Sequence, residues 1–291
     1  MKIACIGEAM IELSMAADEV QLGFAGDTLN TAIYLKRSAP TLDVQFVTAL
    51  GSDNFSMRMM DFFNKNKIMT DAVQTVQGKS PGLYAIETDA SGERAFTYWR
   101  SNSAARMLFQ REQGLDFSAI ASADIIYLSA ISLAILPHNV RLALRDVISA
   151  SKAQFAFDSN YRPALWENAE TARTTVASFW EITDICLPSI DDEMSLFGET
   201  AAQVENRFIE MNRNGALKRG ANGPLSLTPL ESEIEFTKVD KVTDTTAAGD
   251  SFNGGYLAAV LTGHCQEKAL LNAHNLSCEV ISQRGAIIPE T

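Results

Sequence analysis

The chain alternates short apolar runs with longer amphipathic segments. Runs rich in Ile, Val, Phe and Leu have the length of buried strands and occupy residues 3–7, 44–50, 124–129, 155–158 and 184–187. Apolar residues at helical spacing occupy the segments between them, at 28–36, 54–64, 139–149 and 169–180. This alternation predicts an α/β fold with a central, mostly parallel sheet and helices on both faces.

Polar residues follow the predicted strands at the ends where ligands bind in open parallel sheets. They are Gly7-Glu8, Gly51-Ser52-Asp53, Ser129, Asp158-Ser159-Asn160 and Ser189. We therefore expect the functional site along this edge of the sheet.

One region departs from the strand–helix pattern. Residues 83–88 and 95–99 alternate apolar and polar positions around a turn-rich segment at 89–93, which predicts a β-hairpin. The hairpin is either a lid or subunit contact, or an additional antiparallel edge of the main sheet. Since no Pro/Gly-rich linker or repeat interrupts the chain, we expect one domain over residues 1–291. A flap from about residues 10–24 and 72–102 is inserted in it.

Charge and composition exclude several function classes. The chain has 24 Lys and Arg against 36 Asp and Glu, a formal net charge of −12, which disfavours nucleic acid and anionic membranes as partners. Its four cysteines have no C-x-x-C spacing and no apolar run approaches the length of a membrane span. These features indicate a reduced, cytoplasmic protein.

Familiar nucleotide and hydrolase motifs are absent. Gly78-Lys79-Ser80 resembles the end of a P-loop, but Val73 stands where its first glycine should be. No G-x-G-x-x-G follows the first strand, and three histidines give no spacing suited to zinc or to a Ser/His pair.

The most informative segment is 244–256. Small residues at 247–249 permit close backbone approach, and Asp250 then opens an apolar helix whose first amides form an anion site. Asp250 is either a general base that takes a proton from a hydroxyl or a helix cap. The spacing alone leaves both interpretations open.

The run Asp-Thr-Thr-Ala-Ala-Gly-Asp-Ser-Phe at 244–252 resembles the C-terminal signature of the ribokinase-like (PfkB) carbohydrate kinases. Ala247 replaces a more usual glycine. The resemblance implies a ribokinase-like fold with a small β-strand lid, and transfer of phosphate from ATP to a sugar. It also implies that Asp250 is the catalytic base and that Ala247, Ala248 and Gly249 form the anion hole.

Residues 23–32 resemble the family's sugar-contacting glycine motif, with Ala25 in place of one of its two glycines. This resemblance implies sugar contacts from Gly26, Asp27 and Asn30. Without the family, the segment is a loop in which an Asp caps the following helix.

The nucleotide side is carried by residues 218–223, which resemble the family's Lys-x-Gly-x-x-Gly turn. Only residues 215–217 precede it where the family has a full apolar strand, so the strand is either truncated or residues are missing from the sequence. The resemblance implies ATP contacts from Ser189, Lys218, Gly220, Asn222, Gly223, Ala248, Gly249 and His274.

A magnesium-organising Asn-x-x-Glu motif is expected after the strand at 184–187, and the chain has Ser-Ile-Asp-Asp-Glu at 189–193. Carboxylates suit Mg²⁺, which makes Asp192 and Glu193 the candidates. Acidic residues in a first helical turn are also favoured by the helix dipole alone.

Within the family, the sequence is most similar to kinases of 2-keto-3-deoxygluconate, in stretches 7–13, 81–84, 98–100, 158–166 and 284–289. This similarity implies an acidic sugar substrate whose carboxylate suits an arginine. The alternative for Arg100 is a surface partner for Glu93 or another acid. The site residues implied are Tyr84, Tyr98, Arg100 and Asn160 for the sugar, and Arg162 for the transferred phosphate.

Three further points stay open at this stage. The sugar could instead be fructose or 2-ketogluconate. The chain could be a catalytically silent sugar-binding protein on a kinase fold. By analogy with the family, we expect a homo-oligomer, a dimer or larger, that pairs through the lid.

Overall fold

The computed structural model describes residues 1–16, 19–88 and 94–290. Its strands are β1 Lys2–Ile6, β2 Met10–Ala16, β3 Glu19–Ala25, β4 Asp43–Val47, β5 Ala49–Leu50, β6 Gln74–Thr75, β7 Gly82–Thr88, β8 Arg94–Trp99, β9 Gln110–Arg111, β10 Gly114–Leu115, β11 Ile125–Ser129, β12 Gln154–Asp158, β13 Ile185–Leu187, β14 Asn214–Leu217 and β15 Leu225–Ser226. Its α-helices are α1 Asp27–Ser38, α2 Asn54–Lys65, α3 Ala130–Ile135, α4 His138–Ala150, α5 Ala169–Trp180, α6 Ile190–Phe197, α7 Ala201–Glu210, α8 Ala248–Leu261 and α9 Gln266–Ile281.

The central sheet has seven strands in the order β15-β14-β13-β12-β11-β1-β4, and only β15 pairs in the antiparallel direction. Successive residues of β1 belong to different cores. Ile3 and Cys5 pack with α1, α2, α8 and α9, whereas Ala4 and Ile6 pack with α3 to α7. Both faces of the sheet are thus buried under helices, which confirms the predicted fold class.

The predicted strand at 44–50 is divided in two. β4 ends at Val47 in the central sheet, while β5 pairs with β6 in a separate ribbon. The backbone N–H of Gln74 donates to the Thr48 carbonyl at 2.8 Å, and that of Val76 donates to the Leu50 carbonyl at 2.8 Å. These bonds draw the end of the apolar run away from β1.

The segment before Lys218 forms a short strand, β14, whose last three residues are buried. Gly215 approaches the neighbouring strand so closely that a Cβ there would lie 2.0 Å from the carbonyl oxygen of Cys186. Because β14 pairs with β13 in parallel, Lys218 still reaches the carboxyl edge of the sheet.

Helix α8 is buried between α1 and α9, and two glycines allow this packing. A Cβ at Gly254 would lie 2.7 Å from the Cβ of Tyr34 in α1. A Cβ at Gly255 would lie 3.1 Å from the Cα of Ala273 in α9. Tight packing on both sides holds the first turn of α8 in place at the edge of the sheet.

The lid is a separate four-stranded sheet in the order β3-β2-β7-β8, so the predicted hairpin is not an edge of the main sheet. Its predicted turn, 89–93, lies outside the described residues. None of the helices in the described ranges is long and apolar enough to cross a membrane.

Candidate active site

A cavity of about 980 Å³ lies between the lid and the carboxyl ends of the central strands, at the upper end of the size range of small-molecule sites. It brings together most of the site residues predicted from the sequence. Those that line it are Gly26, Asp27, Asn30, Tyr84, Tyr98, Arg100, Asn160, Arg162, Ser189, Asp192, Lys218, Ala247, Ala248, Gly249 and Asp250.

One end of this cavity, here named the helix end, consists of Lys218 and residues 247–250. Ala247 precedes α8 in the left-handed conformation, with φ of 61°, and no side chain caps the helix. In the part of the chain that the structure describes, the backbone N–H groups of Gly249 and Asp250 have no hydrogen-bond acceptor. These amides and the helix dipole form an anion site.

The Asp250 carboxylate lies beside this anion site. The side-chain amide of Asn30 donates to its Oδ2 at 2.8 Å, and the Thr31 hydroxyl donates to the Asp250 carbonyl at 3.2 Å. Burial raises the pKa of Asp250 well above its usual value, and the negative charge of Asp27 raises it further. A carboxyl group with a raised pKa is a stronger base once it is ionised.

Lys218 is held beside the anion site by Asp158, one of the polar residues expected at the strand ends, and by Asn253, which the sequence did not indicate as a site residue. Its Nζ donates to Asp158 Oδ1 at 2.8 Å and to Asn253 Oδ1 at 2.9 Å. The Asn253 amide donates in turn to Asp158 Oδ2 at 2.9 Å. An ammonium has three donors, so one remains for a ligand in the cavity.

Asp27 and Asn160 lie together between the two ends of the cavity. The Asp27 carboxylate accepts hydrogen bonds from the Ser129 hydroxyl and, at 3.0 Å, from the Asn160 amide. Asn160 has a φ of 22°, an uncommon conformation for a residue with a side chain. The N-cap of α1 is Gly26 rather than Asp27, so the capping interpretation of Asp27 is not supported.

The opposite end of the cavity, here named the lid end, consists of Glu8, Tyr84, Tyr98, Arg100 and Arg106. Arg100 forms an ion pair with Glu8; their side chains are 10% and 1% exposed. The predicted alternative partner of Arg100, Glu93, lies outside the described residues.

The two tyrosines of the lid end are stacked, with ring centroids 5.7 Å apart, and the Tyr84 hydroxyl donates to Glu12. Trp99, between Tyr98 and Arg100, is 58% exposed. Strand pairing places it on the face of the lid opposite to Tyr84, as the alternation along the strand predicts.

The two residues predicted to bind magnesium, Asp192 and Glu193, lie in different environments. Asp192 lines the cavity and pairs with Arg162 at 3.2 Å. Glu193 is fully buried elsewhere; it accepts from Trp180 Nε1 at 3.2 Å and from Arg207 at 2.8 Å. Since successive helical residues point in different directions, only Asp192 faces the cleft, and the expectation for Glu193 is corrected. The described residues contain no cluster of three or more His, Cys, Asp or Glu side chains suited to a metal.

Four of the predicted nucleotide residues lie outside the lining of this cavity. Gly220 and Asn222 are in a short 3₁₀ turn closed by Gly223. His274 lies on α9, where its Nε2 is 2.6 Å from the Thr237 carbonyl and its ring packs on Phe236. Their nucleotide contacts stay predictions.

Comparisons with known proteins identify the family. The pfkB family carbohydrate kinase profile matches residues 1–291. A 2-dehydro-3-deoxygluconokinase of Dickeya dadantii is 43% identical, over 99% of this chain and 96% of that protein, and one of Escherichia coli K12 is 42% identical, over 99% and 97%. A crystal structure of 2-dehydro-3-deoxygluconokinase from Thermotoga maritima superposes with a TM-score of 0.82 at 21% identity, over 99% of this chain and 96% of that chain. The chain therefore belongs to the pfkB family of carbohydrate kinases.

Proposed function

We propose that the protein transfers the γ-phosphate of ATP to the 6-hydroxyl of 2-keto-3-deoxygluconate (2-dehydro-3-deoxygluconate). One observation carries this proposal: a half-buried carboxylate, Asp250, lies beside two amides that have no acceptor among the described residues, in a cavity whose far end contains arginines. Relatives that are 42–43% identical over nearly their whole length bear the name of this activity, which supports the choice of sugar.

The reaction requires one proton transfer and one phosphoryl transfer. Asp250 takes the proton of the 6-hydroxyl while that oxygen attacks the γ-phosphorus. The bond from phosphorus to the leaving oxygen of ADP then breaks, so the products are the sugar 6-phosphate and ADP. No covalent enzyme intermediate is needed.

Charge on the transferring phosphoryl group is neutralised at the helix end. The amides of Gly249 and Asp250 and the free donor of Lys218 point to this role, and preorganised donors of this kind stabilise charge that develops in the transition state. Arg162, 54% exposed and paired with Asp192, is the second cation that we assign to the phosphates.

The residues present fit a magnesium ion that arrives with ATP. Mg²⁺ keeps several waters and is bound through one or two carboxylates together with substrate phosphates, and the carboxylate of Asp192 lines the cavity beside Arg162. The ion would neutralise phosphate charge when bound. Asp192 would hold it through water, and Arg162 would keep that carboxylate oriented.

A coupled assay of ADP release tests the proposal. We expect ketodeoxygluconate to be phosphorylated with a higher kcat/KM than fructose or 2-ketogluconate. Asp250→Asn should bind ATP normally in calorimetry but lower kcat by roughly 10²–10⁴-fold. A preference for fructose would refute the acidic substrate. Sugar binding without turnover in the wild type would support the silent binding protein instead.

We further propose that the chain works as one domain in the cytoplasm and that two copies associate through the lid. The face of the lid opposite to Tyr84 carries Val20, Leu22 and Trp99, which are 62%, 37% and 58% exposed. An apolar patch of this kind is typical of an interaction surface. Light scattering should give the dimer mass for the wild type and the monomer mass for Trp99→Lys; a monomeric wild type would refute the assembly.

A further inference from the structure

The lid end of the cavity contains one cation more than the sequence indicates. Arg106 lines the cavity together with Arg100 and Glu8. It lies in the 3₁₀ turn Ala104–Met107, directly after the lid. The sequence similarity to sugar-acid kinases extends over 98–100 and does not include it, so nothing so far assigns it a role.

Arg100 is already neutralised by a partner in the protein. Its guanidinium forms an ion pair with Glu8, whose carboxylate also accepts a hydrogen bond from Ser103. Both charged groups are almost completely buried. An ion pair at this burial has little net field to offer an incoming anion, because the field of one charge largely cancels that of the other. What Arg100 retains is a buried Nε–H with no partner among the described residues.

Arg106, by contrast, has no acidic partner in the part of the chain that the structure describes. Burial raises the pKa of Glu8, and the charge of Arg106 is close enough to oppose part of that rise, so Arg106 lies near the Glu8–Arg100 pair. It is half-buried, and its neighbours in the chain Ala105 and Leu108 are buried. A partly desolvated guanidinium of this kind is suited to a bidentate contact with a carboxylate.

The turn that carries Arg106 is held by hydrogen bonds from glutamine side chains to backbone carbonyls. The Gln74 side chain donates to the Met107 carbonyl at 3.2 Å and to the Gln110 carbonyl at 2.9 Å. The Gln110 side chain donates to the Arg106 carbonyl at 2.8 Å. Held in this way, the turn presents the arginine to the cavity with little loss of backbone freedom on binding.

We propose that Arg106 is the residue that selects an acidic sugar, because it supplies the uncompensated positive charge that binds the substrate carboxylate. Arg100, held by Glu8, adds little net charge to this contact. This inference rests on the proposed function and adds to it a specificity residue.

A comparison of two matched sugars tests Arg106. The probes are ketodeoxygluconate and 3-deoxyfructose, which has a hydroxymethyl group in place of the carboxylate. Arg106→Ala should raise KM for the acid by roughly 10- to 100-fold, the loss expected for one good charge-assisted pair. It should leave kcat, KM for ATP and kcat/KM for 3-deoxyfructose within about twofold. Arg106→Lys, which keeps the charge without the fork, should give an intermediate KM for the acid.

Arg111→Ala is the control, since Arg111 is 41% exposed, pairs with Asp116 and lies outside the cavity. We expect it to match the wild type with both sugars. If Arg106→Ala changes kcat/KM equally for the two sugars, or changes neither, the role of Arg106 is overturned and the kinase proposal stays intact. A wild type that prefers 3-deoxyfructose would overturn both.

Discussion

At the helix end of the cavity the ligand groups are backbone amides on a buried helix, whereas at the lid end they are long side chains on a small sheet and the turn that follows it. The amides of Gly249 and Asp250 cannot rearrange without moving α8, which is packed on both sides. Arg106 needs only to change its rotamer. The rigid helix end is therefore suited to the phosphoryl transfer that the whole family shares. The adaptable lid end is suited to the choice of sugar, which differs between members.

The charges at the two ends are also balanced differently. The helix end carries Asp250 against Lys218, and Asp158, which pairs with that lysine, adds a second negative charge beside it. The lid end carries Arg100 and Arg106 against Glu8. An anionic sugar is therefore attracted by its acid end, and its hydroxyl end reaches the base. Three of the four predictions below test the helix end, and one tests the segment between the two ends.

The largest effect is expected from Lys218→Met at the helix end. Loss of one preorganised donor should lower kcat by roughly 10²–10³-fold. Because Asp158 is 3% exposed and would lose its partner, the free energy of unfolding should fall by about 3–5 kcal/mol. Steady-state kinetics and urea unfolding measure the two effects.

Two further variants separate these causes. Lys152→Met removes an exposed lysine and should change neither quantity. Asp158→Asn added to Lys218→Met should restore part of the stability but none of the turnover. A double variant with recovered turnover would show that Lys218 acts only through Asp158.

A moderate effect is expected from Gly26→Ala, between the two ends. The new Cβ would lie 2.1 Å from the carbonyl oxygen of Glu8, so the backbone beside the lid end must move. Overpacking of this kind costs about 1–3 kcal/mol. KM for the sugar should rise more than KM for ATP.

Gly23→Ala is the matched control for Gly26→Ala. It lies in the same segment, and its nearest contact, Glu12 Oε1, would be at an ordinary 3.5 Å. If both variants lose the same stability in thermal unfolding, the close approach to Glu8 is not what requires a glycine at position 26.

The fold and the helix end could be predicted from the sequence because both depend on local patterns. Strands and helices appear as runs of apolar residues, and the anion site appears as small residues followed by Asp250. The departure at Ala247 was also visible, and its left-handed φ of 61° gives a physical reason why glycine is more usual there.

At the lid end the family resemblance implied Tyr84, Tyr98 and Arg100, but the balance of charge could not be predicted, because it is set by contacts between distant residues. Glu8 neutralises Arg100 from 92 positions away in the chain. At the helix end, too, the contacts that Asp158 and Asn253 make with Lys218 join different elements. Arg106 could have been noticed only as an additional arginine next to the lid. Glu193 was misassigned because a pattern of adjacent acids does not show which one faces the cleft.

The smallest effect is expected from Ala247→Gly at the helix end. A left-handed conformation costs a residue with a side chain about 1–2 kcal/mol, so the glycine variant should be more stable by about 1 kcal/mol. Turnover should stay within about twofold, since the amides are unchanged. A destabilised variant in thermal unfolding would contradict the strained conformation.

The pH dependence of kcat/KM tests the central claim about Asp250 most directly. The base must be ionised to accept a proton, so activity should fall as the pH is lowered through its pKa. Burial and the charge of Asp27 raise that pKa, which places the midpoint above the value of about 3.9 for an exposed Asp. Asp27→Asn removes a like charge and should move the midpoint to lower pH, whatever its effect on sugar binding. A midpoint at or below the ordinary value, unmoved by Asp27→Asn, would contradict Asp250 as the base.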